Sequence, residues 1–215
     1  MRVDYILNVT GFILEGAKVT GQLYLITAVF SVLLGIMCAI GKISRFRLLR
    51  IIIGFYTWVF RGTPLLLQLF FTYYGLPVLG ITLEPFQAAA ITFIINYAAY
   101  FTEIFRAGIE SIGKGQYEAA RVLGLNYRQT MFRIIIPQTV RRVLPPVSNE
   151  AINLVKDSAL VSVIGMTDLL RAARQVLNRD FTITPFIIAA ILYLLISSVI
   201  VNVFRKLEER FSIYE

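Results

Sequence analysis

From Val19 to Ile40 the chain runs without a single Asp, Glu, Lys or Arg. At about 1.5 Å per helical residue, this run is long enough to cross the roughly 30 Å hydrocarbon core of a bilayer. Hydrocarbon offers no water to a backbone amide, so a lone spanning segment must bond to itself as a helix. The whole composition agrees, with 57% of the 215 residues hydrophobic and 16% charged, too apolar for a soluble domain. Ser31, Gly35 and Ala39 recur every four residues along the run, which predicts a small-residue face for close helix packing.

Composition also removes whole classes of chemistry. Histidine is absent and cysteine occurs once, at Cys38 inside the apolar run. That excludes histidine-based catalysis, a zinc cluster and an intrachain disulfide. No nucleophile stands beside a base, so no enzyme is expected. The net charge of +8 comes from basic residues at the edges of apolar blocks, the pattern of membrane topology rather than of nucleic-acid binding. Residues 108–115, GIESIGKG, come close to a phosphate-binding loop. Gly115 stands where Ser or Thr would hold magnesium, and no strand precedes it, so no ATP or other cofactor is expected in this chain.

In chain order, Met1 to Gly16 places Val3, Ile6, Leu7, Ile13 and Leu14 near helical spacing but interrupts them with Asp4, Asn8 and Glu15. It reads as a helix along the membrane surface or as a mobile tail, and not as a signal peptide. Gly41 to Arg50 carries Lys42, Arg45, Arg47 and Arg50 and no acid, which places it in the cytoplasm. The next block, Ile51 to Leu79, is interrupted by Arg61-Gly62-Thr63-Pro64. Arg61 would lie about 15 Å deep, either at a functional site or at a kink whose carbonyls satisfy it. Pro77 to Pro85 has no basic residue and reads as an outer loop. Near the inner end of 86–109, Glu103 and Arg106 have the spacing of a local ion pair.

Arg133 to Asp157 is the least lipid-like stretch. Pro145-Pro146 is expected to break it, and beyond them Asn149, Asn153 and Asp157 fall at i, i+4, i+8 with Glu150 alongside. A polar face at that depth lines a solvated path, a ligand site or a subunit interface. Arg61, Asn149, Glu150, Asn153 and Asp157 are therefore the candidate substrate-path residues. Ser158 to Thr182 reads as an outer segment with a short helix at Met166 to Val176, although Arg171, Arg174 and Arg179 run against positive-inside counting. The inner segments 41–50, 106–133 and 205–215 hold twelve Lys and Arg against six in the outer ones. The fold expected is an all-α integral membrane protein, a single transmembrane domain over 1–215 with spans near 19–40, 51–76, 86–109, 133–157 and 183–204. Its N-terminus lies outside and its C-terminus in the cytoplasm.

A charged island, Gly113 to Gln138, lies between the third and fourth spans. It predicts two short helices. Gln116 to Leu123 forms the first, Gly124 supplies a left-handed stop, and Asn126 with Gln129 forms a capping box that opens the second. The run Glu118-Ala119-Ala120, then Gly124, then Ile134 to Ile136 before Pro137, resembles the EAA loop of ABC-importer permeases. RGTPLLLQLF followed by YYGLP, AAYFTEIFRAGIESIGKGQYEAARVLGL, LPP followed by INLVKDSALVSVIG, and the closing YLLIS with LEER resemble the polar amino-acid branch of that family over nearly the whole chain.

That resemblance implies a type I importer fold with a cytoplasmic EAA coupling helix. It implies translocation of a polar amino acid by alternating access, and Glu118, Ala119, Ala120, Arg121 and Gly124 as the element that docks on an ATPase. It also implies partners: a cytoplasmic ABC ATPase dimer that binds the ATP and magnesium, a second permease subunit, identical or different, and an external solute-binding protein, all at a bacterial-type plasma membrane. One departure stands out. After Pro145-Pro146 the family usually has Gly-Asn-Gln, whereas this chain has Ser148-Asn149-Glu150, and a buried carboxylate there favours a cationic substrate such as arginine, lysine or histidine. The rival reading is an ion-coupled secondary transporter or channel for a small polar solute, disfavoured because no internal repeat is visible.

Overall fold

The computed structural model describes residues 2–211, so 212–215, the end of the expected inner segment 205–215, lie outside the described residues. Among them every regular element is helical. The long helices are α1 (Arg2–Ile43), α2 (Arg47–Gly62), α4 (Pro85–Glu110), α7 (Ile136–Asp157) and α9 (Thr184–Phe211). Between them lie α3 (Leu65–Phe70), α5 (Lys114–Val122), α6 (Tyr127–Thr130) and α8 (Leu169–Asp180), with short π and 3₁₀ segments at the joints. Three helices, α1, α4 and α9, are long and apolar enough to cross a membrane by themselves. The segments 51–76 and 133–157 are the interrupted and the polar ones.

Helix α4 is the hub. Phe93, Tyr97 and Phe101 along it form the main core with Leu23 of α1, Leu69 of α3 and Leu154 of α7. The small-residue face of α1 explains how closely the two helices approach. Ser31 and Ala39 are buried, and a Cβ on Gly35 would stand 2.6 Å from the Phe101 Cβ, so any larger residue would push the helices apart.

Residues 2–16 depart from expectation. They are neither a surface helix nor a tail but the start of α1, unbroken into the first span. Val9 and Ile13, 2% and 0% exposed, pack with Leu169, Ala172 and Val176 of α8 and Ala189 of α9, and Tyr5 donates to Asp180 Oδ2 at 2.7 Å. Of the five apolar residues that the spacing singled out, only Ile13 packs there; Val3, Ile6, Leu7 and Leu14 stay exposed, and the buried face is completed by Val9 against a surface supplied from far along the chain. That surface exists because α8 begins at Leu169 and runs to Asp180, later than the expected Met166–Val176. Asp168 caps it, accepting from the Leu170 and Arg171 amides at 3.0 and 3.1 Å.

The tandem prolines also differ from expectation, since α7 is helical through Pro145 and Pro146. Each removes one amide donor, freeing the carbonyls of Arg141 and Arg142, yet a φ fixed near −65° remains helical. Packing of α7 against α4 and α9 holds the rod. The irregularity falls earlier, in a π turn at Met131–Ile135, where the Ile136 amide reaches back to the Met131 carbonyl ahead of Pro137.

Candidate functional site

At the middle of the second apolar block the helix stops. Gly62 ends α2, and Thr63 and Pro64 are extended (φ −118°, ψ 147° and φ −62°, ψ 134°) before α3 restarts the rod. A break in the helix leaves carbonyls without their amide partners, and each needs another donor. Two side-chain amides take them up. Gln68 Nε2 donates to the Phe60 carbonyl at 2.9 Å, the Thr63 carbonyl at 3.1 Å and Thr63 Oγ1 at 2.8 Å. Asn96 Nδ2, from α4, donates to the same Phe60 carbonyl at 2.9 Å and to Gln68 Oε1 at 3.0 Å.

Because the carbonyls are satisfied in this way, the guanidinium of Arg61 is left for other work. It lies 5.4 Å from the centroid of the Tyr100 ring, a cation–π distance, at the edge of a cavity of about 520 Å³. Helix α7 forms the facing wall with Glu150, Asn153 and Asp157, at i, i+3, i+7, and α4 closes it with Asn96, Tyr97 and Tyr100. Tyr97 donates to Asp157 Oδ2 at 2.7 Å. Glu150 has Asn153 as its hydrogen-bond partner, with Arg61 and Asp157 within electrostatic reach. Arg142 is turned elsewhere, donating to the Ser111 carbonyl.

Four of the five expected path residues thus line one cavity. Asn149 does not; it sits on an exposed flank of α7, so the polar stripe is shifted by one position toward Glu150. Gln68, Asn96, Tyr97 and Tyr100 were missed by sequence reasoning. Gln68 within LLLQLF was the available signal, a lone amide in an apolar run. Glu103 pairs with Arg106 as expected, the Arg106 Nε and Nη2 lying 2.9 and 2.8 Å from Glu103 Oε2. Lys42 of α1 joins the pair and also donates to Thr57 of α2 at 2.8 Å.

The island 113–138 folds as two helices around a left-handed turn. Gly124 has φ +74°. Its amide donates to the Arg121 carbonyl and that of Leu125 to the Ala120 carbonyl, both at 3.0 Å, which is a Schellman stop. Asn126 and Gln129 cap each other reciprocally at 2.9 Å. Ala120 is fully buried and anchors α5, whereas Glu118, Ala119 and Arg121 face outward. Beyond them Val122 and Leu123 are 87% and 75% exposed, an apolar tip with nothing against it.

Residues 31–213 match the model of the family described as binding-protein-dependent transport system inner membrane component. The chain belongs to that family. The permease is 41% identical over 201 residues to the arginine transport system permease protein ArtQ of Bacillus subtilis, covering 93% of this chain and 92% of that one. It is 39% identical to the putative glutamine transport system permease protein GlnP of Rickettsia bellii, with the same coverage. Its structure superposes on a chain from the crystal structure of an amino acid ABC transporter with histidines. That match has a TM-score of 0.88 and 35% identity, over 96% of this chain and 97% of the other. The protein is an amino-acid ABC-importer permease of the type I fold. It is a multi-pass membrane subunit and not an enzyme. This removes the secondary-transporter and channel alternative.

Proposed function

We propose that the permease carries a cationic amino acid, and that the Arg61–Glu150 cavity is where it binds. The observation that carries this is a charge balance. The cavity holds two carboxylates, Glu150 and Asp157, against one guanidinium, Arg61, and in low dielectric an uncompensated charge is costly. Arginine or lysine brings one carboxylate and two cations and cancels the difference. Its carboxylate meets Arg61, its ammonium and side-chain cation meet Asp157 and Glu150, and a guanidinium can pair with Glu150 in bidentate fashion. A neutral amino acid such as glutamine leaves one carboxylate unpaired. Relatives named for arginine and for glutamine are about equally similar to this chain, so the preference rests on these residues.

The working unit in this reading has two copies of the permease, or this chain with a second permease, and an external solute-binding protein. A separate cytoplasmic ABC ATPase dimer holds ATP and magnesium. All five spans cross the plasma membrane, with the N-terminus outside and the coupling loop in the cytoplasm. The Gly124 turn supports it, because it fixes the direction of α5 and presents Glu118, Ala119, Arg121 and the apolar tip to a partner. Two measurements test the assembly. Vesicles reconstituted with permease, ATPase and binding protein take up labelled arginine only with ATP inside the ATPase-facing compartment. A cysteine at Gln116 in a Cys38→Ala background resists impermeant thiol reagents in intact cells. Uptake that follows an ion gradient without ATP, or labelling of that cysteine from outside, contradicts the reading.

A further inference from the structure

A second cavity, of about 380 Å³, opens where α1 ends, α2 begins and the coupling loop starts. Its size falls in the range of small-ligand sites, about 300–1,000 Å³. Lys42, Arg50, Glu110, Lys114, Tyr117 and Tyr127 are in its wall. Two of these charges are committed within the protein, Lys42 to Glu103 and Glu110 to Arg106. Arg50 and Lys114 are exposed, and neither makes an ion pair among the described residues. The cavity therefore presents two uncompensated cations from different helices, α2 and α5, together with two phenol groups able to donate. That donor set suits the oxygens of a phosphate.

The surroundings select the kind of phosphate. Beside Arg50, Phe46 just ahead of α2 and Leu48 in its first turn are exposed (76% and 71%), as are Ile51 and Ile52. Arg45 and Arg47 on the same stretch add charge without an acid nearby. A soluble anion would use the cations and leave these apolar side chains bare. An anion carrying acyl chains uses both, and basic pockets between helix ends at a membrane surface suit acidic headgroups.

We propose that this cavity binds an anionic phospholipid, whose phosphate bridges Arg50 of α2 and Lys114 at the start of the coupling helix. The lipid ties α5 to the membrane-embedded body, so the fraction of acidic lipid sets how firmly the coupling helix is held. The site is separate from the Arg61–Glu150 cavity and depends on the transport reading only for which leaflet supplies the lipid.

The test uses the whole transporter, permease with its ATPase, purified from nanodiscs of phosphatidylglycerol and phosphatidylcholine in equal amounts, with retained lipid counted by mass spectrometry. Phosphatidylglycerol is enriched on the wild type. Arg50→Gln and Lys114→Gln each reduce that enrichment by about fivefold, while Arg45→Gln, outside the cavity, changes it by under about twofold. Stimulated ATP hydrolysis by wild type rises with phosphatidylglycerol content, and in the Arg50→Gln/Lys114→Gln double variant it does not. No enrichment on the wild type, or an equal loss from Arg45→Gln, overturns the proposal. So does displacement of the lipid by inorganic phosphate alone, which would make this a phosphate site. Burial of the cavity by the ATPase, seen as protection of Met131→Cys in the cavity wall, in a Cys38→Ala background, from thiol reagents regardless of lipid, overturns it as well. Arginine titrations on the same samples report on the transport reading independently.

Discussion

Gln68 and Asn96 meet over the broken end of α2, the Asn96 amide donating to Gln68 Oε1 at 3.0 Å while both side chains share the Phe60 carbonyl at 2.9 Å. The two amides satisfy the carbonyls left open where α2 ends. They leave Arg61, one residue beyond Phe60, facing a cavity instead of capping the break.

Gln68→Met keeps the length of the side chain and removes its donors. Loss of a partner from a buried carbonyl costs about 1–3 kcal/mol, so the variant unfolds at lower temperature in detergent. It also binds arginine more weakly, because the turn that aims Arg61 loosens. Unchanged binding together with unchanged melting would show that the break needs no clamp.

The Lys42–Glu103–Arg106 group joins α1, α2 and α4 through largely buried side chains. Glu103→Gln leaves Lys42 without its acid and destabilises the protein by up to about 3 kcal/mol, whereas pairing it with Lys42→Met recovers part of the loss. Thermal denaturation of the two single variants and the double gives the coupling. Additive losses would contradict a direct pair.

At Gly124 a Cβ would touch nothing within 4 Å, so the only penalty for a larger residue is its left-handed backbone. Gly124→Val therefore strains the turn by about 1–2 kcal/mol and leaves the spans folded. Hydrolysis by the partner ATPase loses its stimulation by substrate-loaded binding protein. Full stimulation in this variant would separate the turn from coupling.

Local patterns were legible in the sequence. Asn126 and Gln129 are three residues apart, Gly124 follows a helical run, and Asn153 and Asp157 are one turn apart, so short spacing was enough to place them; the same i, i+4 stripe took in Asn149, which is exposed, where Glu150 lines the cavity instead. What sequence could not supply were partners distant along the chain. Ile13 looks like part of a membrane-surface helix until α8 is seen beneath it. Tyr97 and Tyr100 look like ordinary apolar filling until α7 brings Asp157 and α2 brings Arg61 to their hydroxyl and ring face. Pro145 and Pro146 mark a helix breaker by local rules, which the packing of α7 overrides.

The most direct test of the account is calorimetric titration of arginine and glutamine into the detergent-solubilised permease with its ATPase and without binding protein, comparing wild type with Glu150→Gln. The substitution preserves shape and removes one negative charge. Arginine should bind the wild type in preference to glutamine, and Glu150→Gln should lose about 1.5–3 kcal/mol of arginine affinity, the worth of a hydrogen bond to a charged group, while glutamine loses less. Equal losses for the two ligands, or no arginine binding to the wild type, would contradict a cation site at Glu150.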